Sequence, residues 1–252
     1  MGHPINDFFD KVFVIAIERN EERLKAFISN NPNLEVEVFW GVDGKELFPS
    51  IEYVGDFPAD FFRANHLNYE RCLSLNKSQV GCAMSNLFVQ KEIVKRGLKR
   101  VLILEDDAYL VAKELPGFQR AIKELPLDWE LFYLGFRQPS KWAQHPFTRF
   151  FTRIKYWMKP TVIVGMSSAN FRKRFFTGWF SRHLNIPGVY IGTHAYALSY
   201  EGAKKIVAID TPLKYGADIA LMYANYHKLI NGYSLKHQLF IPNPIFETSL
   251  IN

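Results

Sequence analysis

Val101-Leu102-Ile103-Leu104-Glu105-Asp106-Asp107 is the stretch on which the reading of the chain turns. A short run that is apolar at every position predicts a strand buried on both faces, as in the middle of a parallel sheet. Ligands of open α/β sheets bind beyond the carboxyl ends of such strands, and here that end carries three adjacent carboxylates. Like charges so close repel one another and need a compensating charge. A divalent cation with hard oxygen ligands is the obvious candidate, one that would in turn hold an anion such as a phosphate. The plainer alternative is that one acid caps the following helix while the others sit in water.

Outward from this strand, elements alternate. Lys11 to Ile17 reads as a strand, Glu21 to Asn30 as a charged helix, and Val36 to Trp40 as a second strand before the turn Val42-Asp43-Gly44. Phe48 to Asn76 has no clear period and reads as a surface excursion. From Ser78 a helical pattern runs through Val80, Met84, Leu87, Lys91 and Val94, with Gly97 where a C-cap belongs. A helix near Phe118 to Glu124, a strand at Trp129 to Leu134, a strand at Gly192 to Leu198 and a helix from Gly202 to Val207 follow. Such alternation predicts a mostly parallel central sheet with helices on both faces.

At 252 residues, with 48% hydrophobic and 22% charged content, the chain fits a single domain over residues 1–252 with a sizeable core. Val12 to Ile17 is too short and too closely followed by charges for a secretory signal, and no run reaches transmembrane length. Cys72 and Cys82 make neither a disulfide framework nor a metal-ligand spacing. A cytoplasmic location is expected.

The net charge of +6 is local. Between Glu130 and Glu201 there is no acid but there are ten Lys or Arg, Arg172, Lys173 and Arg174 among them, leaving 21 basic against 25 acidic residues elsewhere. Trp, Phe and Tyr are interleaved with these charges, so an insertion at about 137–185 is expected to be basic and aromatic. That mixture suits an anionic membrane surface. It also suits single-stranded nucleic acid, the less favoured partner, and a solvated insertion with partly buried aromatics remains open.

Several pieces together resemble glycosyltransferase family 25, the group of bacterial lipooligosaccharide galactosyltransferases and collagen galactosyltransferases. They are Val12 to Ile17 with Arg19 and Arg23, Val42-Asp43-Gly44, Ser78 to Asn86, Leu102 to Asp107, and Ala195 to Ser199 with Gly202 to Lys205. The resemblance implies a GT-A-type nucleotide-sugar transferase fold, a divalent metal, usually Mn²⁺, a UDP-sugar donor, most often UDP-galactose, and an inverting transfer to a glycan or glycolipid acceptor such as lipooligosaccharide or lipopolysaccharide. Two positions depart from the family pattern: Ala16 stands where Asn is usual, and Asn86 where His is usual.

The chemistry of sugar transfer assigns expected roles. Departure of UDP builds charge on a phosphate, which a metal stabilises. Within a strand Glu105 and Asp107 would share a face opposite Asp106. Asp107 is expected as a metal ligand, Asp106 as a ligand of metal or sugar, and Glu105 as a ribose or positioning contact. Asp218, which resembles the family's late acidic position, is the expected general base for the acceptor hydroxyl; the alternative for it is a helix N-cap, and the second choice, Asp210, lies before Thr211-Pro212, where a turn role is favoured. His237 and His194 are candidates for a late metal ligand, against a structural role for each. Arg19 and Arg23 are expected at the diphosphate, with a solvated helix face as the equal alternative, Asp43 at the nucleoside, and Gly81 and Ser85 among the donor-binding residues, with Gly44 permitting a turn. A non-catalytic carbohydrate-binding relative and a Mg²⁺-dependent phosphotransfer protein are the other classes compatible with acids after a buried strand.

Overall fold

The side chains of Val101, Leu102, Ile103 and Leu104 are all fully buried in the computed structural model, which describes residues 2–47, 76–137, 176–213 and 215–243. The strands are β1 (Lys11–Ala16), β2 (Glu37–Trp40), β3 (Arg100–Glu105), β4 (Ala108–Leu110), β5 (Leu131–Arg137), β6 (Gly178–Trp179), β7 (Leu184–Ile186), β8 (Ile191–Ser199), β9 (Gly232–Leu235) and β10 (Phe240–Pro242). The helices are α1 (Pro4–Phe8), α2 (Glu21–Asn30), α3 (Gly44–Leu47), α4 (Lys77–Arg96), α5 (Leu115–Glu124), α6 (Tyr200–Ile209) and α7 (Ala217–Tyr226). Among the described residues eight strands form one sheet in the order β2-β1-β3-β8-β5-β9-β7-β6, and β4 pairs with β10 apart from it.

Six of the eight strands point the same way, and β7 and β8 run against them. The expected mixed α/β fold with a mostly parallel sheet is therefore the one found. The direction of β8 follows from where the chain re-enters the sheet: Ile191 pairs with Arg137 at the end where β5 leaves, so β8 must run back between β3 and β5. Consequently the start of β8 lies at the same edge of the sheet as the end of β3, with Ala195 opposite Leu104.

Period-2 alternation sorts the strands between two cores. Val12, Val14, Leu102 and Leu104 pack with Leu24 and Phe27 of α2 and Phe118 and Ala121 of α5 on one face. Phe13, Val101, Ile103 and Tyr196 pack with Val89 and Ile93 of α4, Ile206 of α6 and Leu221 of α7 on the other. Helix α4 is fixed at both ends by its sequence. Asn76 and Gln79 form a reciprocal capping box, and Gly97 takes the left-handed C-cap conformation at φ 65°. The Phe48 to Asn76 excursion lies outside the described residues apart from Asn76, as does most of the basic aromatic insertion. What is described of the insertion, β6 and most of β7, forms the far edge of the sheet. Among the described residues no helix is long and apolar enough to cross a membrane.

Candidate functional site

A cleft of about 600 Å³ opens at the carboxyl ends of β1 and β3. Its walls are the β1–α2 connection with Arg19, Asn20 and Arg23, the loop Val42–Lys45, one face of α4 carrying Ser78, Cys82, Ser85 and Asn86, and the acids Glu105, Asp106 and Asp107. Steps of four and three along α4 place Ser78, Cys82 and Ser85 on a common face, which is why one helix supplies a whole wall.

The acids do not keep strand alternation. Strand β3 ends at Glu105 and residues 106 and 107 form a turn into β4. Asp106 and Asp107 therefore meet the same partner instead of pointing to opposite faces: Nη2 of Arg23 lies 2.8 Å from Asp106 Oδ1 and 2.9 Å from Asp107 Oδ2. Burial pushes the Asp106 carboxyl up to about 6, against the pull of Arg23 and with the help of Asp107's charge. Asp107 Oδ1 is buried without a hydrogen-bond partner in the structure. In the protein alone, the compensating charge expected at the triplet is thus provided by Arg23.

The neighbouring loop is held with comparable care. Arg19 Nη1 lies 2.9 Å from Asp43 Oδ2, an ion pair with no hydrogen bond to that oxygen, and Asp43 Oδ1 accepts from the Lys45 amide at 2.9 Å. The Ser85 hydroxyl donates to the Gly81 carbonyl at 2.7 Å and accepts from the Val42 amide at 2.8 Å, which ties the loop to α4. Gly81 and Gly44 are the points of closest approach. A Cβ on Gly81 would sit 2.5 Å from the Gly44 nitrogen, and one on Gly44 would sit 1.8 Å from the Lys77 carbonyl oxygen. Gly44 thus serves close packing against α4, where a turn requirement was expected, and Gly81 supports the wall from behind without lining the cleft.

Asn86 is buried and its amide is oriented by a chain of side chains. Gln90 Nε2 donates to the Tyr196 hydroxyl at 3.0 Å, that hydroxyl donates to Asn86 Oδ1 at 2.9 Å, and Asn86 Nδ2 donates to the Cys82 carbonyl at 3.0 Å. Cys82 is exposed and lines the cleft. The packing around it and then the charges of Glu105, Asp218 and Asp107 push its thiol above the usual range.

Asp218 reaches the same edge of the sheet by another route. It is the second residue of α7, whose N-cap is Gly216 with no side-chain cap, and its Oδ2 accepts from the Gly192 amide at 3.2 Å where β8 begins with φ 77°. It stands beside the cleft, within electrostatic reach of Cys82, and is not part of the wall. Asp210 is buried at the end of α6 and accepts from the Tyr215 amide at 3.1 Å, which makes it a turn residue. His194 is buried over Gly135 with Nε2 3.3 Å from the Phe240 carbonyl oxygen. His237 is exposed in the bend after β9, which ends at Leu235, and is not among the residues lining the cleft. Among the described residues no three His, Cys, Asp or Glu side chains gather closely enough to hold a metal by themselves.

Not foreseen were Asn20, Lys45, Ser78 and Cys82 as wall residues and Gln90 and Tyr196 behind them. The spacing of Ser78, Cys82 and Ser85 was the available signal for the helix face. No local pattern marks Tyr196, whose partner lies 110 residues away.

An acid-lined cleft at the strand ends of a mostly parallel sheet is where an open α/β protein holds its ligand. The chain belongs to glycosyltransferase family 25: the family's sequence model, "Glycosyltransferase family 25 (LPS biosynthesis protein)", matches residues 9–221. Similar proteins include "Inactive glycosyltransferase 25 family member 3" of Homo sapiens, 28% identical over 211 residues that cover 82% of this chain and 30% of that protein. "Procollagen galactosyltransferase 2" of Mus musculus is 25% identical over 224 residues, covering 82% of this chain and 29% of that protein. The chain thus spans about a third of the length of these relatives. Among solved structures, galactosyltransferase LgtC in complex with donor and acceptor sugar analogues aligns at 11% identity and a TM-score of 0.40, over 89% of this chain and 72% of that one. Resemblance to one relative named inactive and another named a galactosyltransferase leaves activity to be judged from the cleft.

Proposed function

We propose that the protein is a metal-dependent inverting glycosyltransferase with a GT-A-type fold that moves a sugar, galactose foremost, from a UDP-sugar to a glycan acceptor such as lipooligosaccharide or lipopolysaccharide. The observation that carries this reading is the charge balance of the cleft. Arg19, Arg23 and Lys45 face Asp43, Glu105, Asp106 and Asp107, a net charge of −1 on the lining. A nucleoside diphosphate would add further negative charge, so the cleft suits that ligand only together with a divalent cation. Hard carboxylate oxygens and the unpartnered buried Asp107 Oδ1 fit such an ion, with Asp106 and Asp107 as its protein ligands and the remaining positions left to phosphate and water. When bound, a cation there stabilises the charge that develops on the departing diphosphate.

The chain's own residues do the rest. Arg19 and Arg23 orient the diphosphate, the α4 wall sets the space for the nucleoside and sugar, and Asp218 takes the proton from the acceptor hydroxyl as its oxygen bonds to the sugar carbon and UDP leaves from the opposite side. The galactose preference is supported by the name of the mouse relative, and a lipopolysaccharide-type acceptor by the description of the family. The basic aromatic span fits an enzyme working on such an acceptor at the cytoplasmic face of a membrane, each engaged Lys or Arg contributing about 1 kcal/mol at an anionic surface. Sedimentation with anionic vesicles, weakened when Arg172, Lys173 and Arg174 are changed to Gln, tests that part.

Incubation with a panel of UDP-sugars and Mn²⁺, reading UDP release, tests the whole. Release greatest with UDP-galactose supports the proposal. Tight nucleotide-sugar binding with no release from any donor, even with glycan acceptors present, would identify a binding protein that has kept the fold, the reading that similarity to the human inactive relative favours.

A further inference from the structure

Arg23 occupies the position that a bridging cation would need. A single nitrogen, Nη2, lies between the two carboxylates at 2.8 Å and 2.9 Å, and the guanidinium is largely screened from solvent, with 23% of the side chain exposed. It comes from the first turn of α2, a different element from the turn that carries the acids, so the contact can open without unfolding either. Asp107 Oδ1, the adjoining oxygen, is buried and takes no hydrogen bond in the structure. A divalent ion placed against both carboxylates would stand within a few ångströms of the guanidinium, and two positive charges at that distance in a half-buried site repel strongly.

We infer that Arg23 is the resting counter-ion of the acidic pair and exchanges with the metal: it closes Asp106 and Asp107 in the free protein and passes to the diphosphate as metal and nucleotide enter together. The inference rests on the metal-dependent reading above and adds an order to it. Metal alone competes with Arg23 for the carboxylates and binds weakly. Nucleotide offers Arg23 a new anionic partner, so each ligand raises the affinity for the other by the same factor. A second consequence is protection, since a pair held by its own arginine does not collect adventitious cations.

Titration of free Mn²⁺ by electron paramagnetic resonance, with and without UDP, tests this on the whole chain. The parent protein is expected to bind Mn²⁺ at least tenfold more tightly when UDP is present. Arg23→Gln, which stays polar but is shorter and removes the charge, is expected to bind Mn²⁺ alone at least tenfold more tightly than the parent and to lose most of the enhancement by UDP. Arg23→Lys, which restores a cation, is expected to return toward the parent. Mn²⁺ affinity within twofold between parent and Arg23→Gln, with UDP enhancing both equally, overturns the exchange while leaving the metal-dependent reading intact. No Mn²⁺ uptake by parent or variant, with or without UDP, overturns both. Should Arg23→Gln fold poorly, the parent protein decides alone: Mn²⁺ binding that is equally tight with and without UDP contradicts the inference.

Discussion

The hydroxyl of Tyr196, in the middle of β8, donates to Asn86 Oδ1 on α4 at 2.9 Å and so joins the sheet to the wall of the cleft. The same hydroxyl accepts from Gln90, and both Asn86 and Gln90 are buried. Removing it leaves a buried acceptor and a buried donor without partners, which costs about 1–3 kcal/mol. Tyr196→Phe should therefore lower stability by that amount. With Asn86 free to flip its amide, turnover should also fall more than donor affinity. Denaturant unfolding and steady-state kinetics on the same preparation check both effects.

Gly44→Ala addresses the joint between the loop and α4. Its Cβ would sit 1.8 Å from the Lys77 carbonyl oxygen, a backbone atom that cannot yield as a side chain can. Overpacking of this kind costs about 1–3 kcal/mol, and relief by moving the loop would displace Asp43 from Arg19. Gly117→Ala in α5, where the nearest atom is 3.8 Å away, is the control and should raise stability by about 0.5–1 kcal/mol. Thermal melts of the two variants should shift in opposite directions.

Glu124 fastens the β6–β7 connection to α5. It accepts from the Ser181 hydroxyl, the His183 amide at 3.0 Å and the His183 ring, and these bonds hold its carboxyl down to about 2. A carboxyl depressed in the folded state stabilises at pH above its unfolded value of 4.5, and that contribution is lost as pH falls toward about 2. Glu124→Gln should cost about 1–2 kcal/mol at pH 7 and progressively less below pH 4. Unfolding measured across pH 2 to 8 should show the parent and variant curves converging at the acid end, while UDP binding at pH 7 stays unchanged.

Much of this architecture is legible in the sequence, for identifiable reasons. β1 and β3 are buried on both faces and read as apolar runs, and α4 carries its own start and stop signals in Asn76, Gln79 and Gly97. Strands β4, β6, β7, β9 and β10 are two to four residues long and exist through their partners, so no period could reveal them. The acid-free span between Glu130 and Glu201 has a partly structural cause, because it includes the buried strands β5 and β8, where an unpaired carboxylate would be costly. The acids at the end of β3 were visible, but their joint contact with Arg23 was not. That contact depends on a turn replacing the strand at Asp106 and on a residue more than 80 positions away.

Asp218 separates the two halves of the proposed reaction. It lies beyond the N-cap of α7, and its bond from the Gly192 amide can be kept by an asparagine oxygen. Asp218→Asn should leave the fold and UDP affinity close to those of the parent while turnover falls by about 10²- to 10⁴-fold, the usual contribution of a general base. Near-parental turnover would return Asp218 to a purely structural role in holding Gly192.

Asp106 and Asp107 are proposed to hold a divalent cation on which nucleotide binding depends. Calorimetry of UDP binding, with and without Mn²⁺, to the parent and to Asp107→Asn tests it most directly, because the substitution keeps the shape of the side chain and removes its charge. The parent should bind UDP strongly only when Mn²⁺ is present, and Asp107→Asn should lose that dependence together with most of the affinity. UDP binding that is equally tight in both proteins, or indifferent to Mn²⁺ in the parent, would rule out a metal-dependent nucleotide site at this pair.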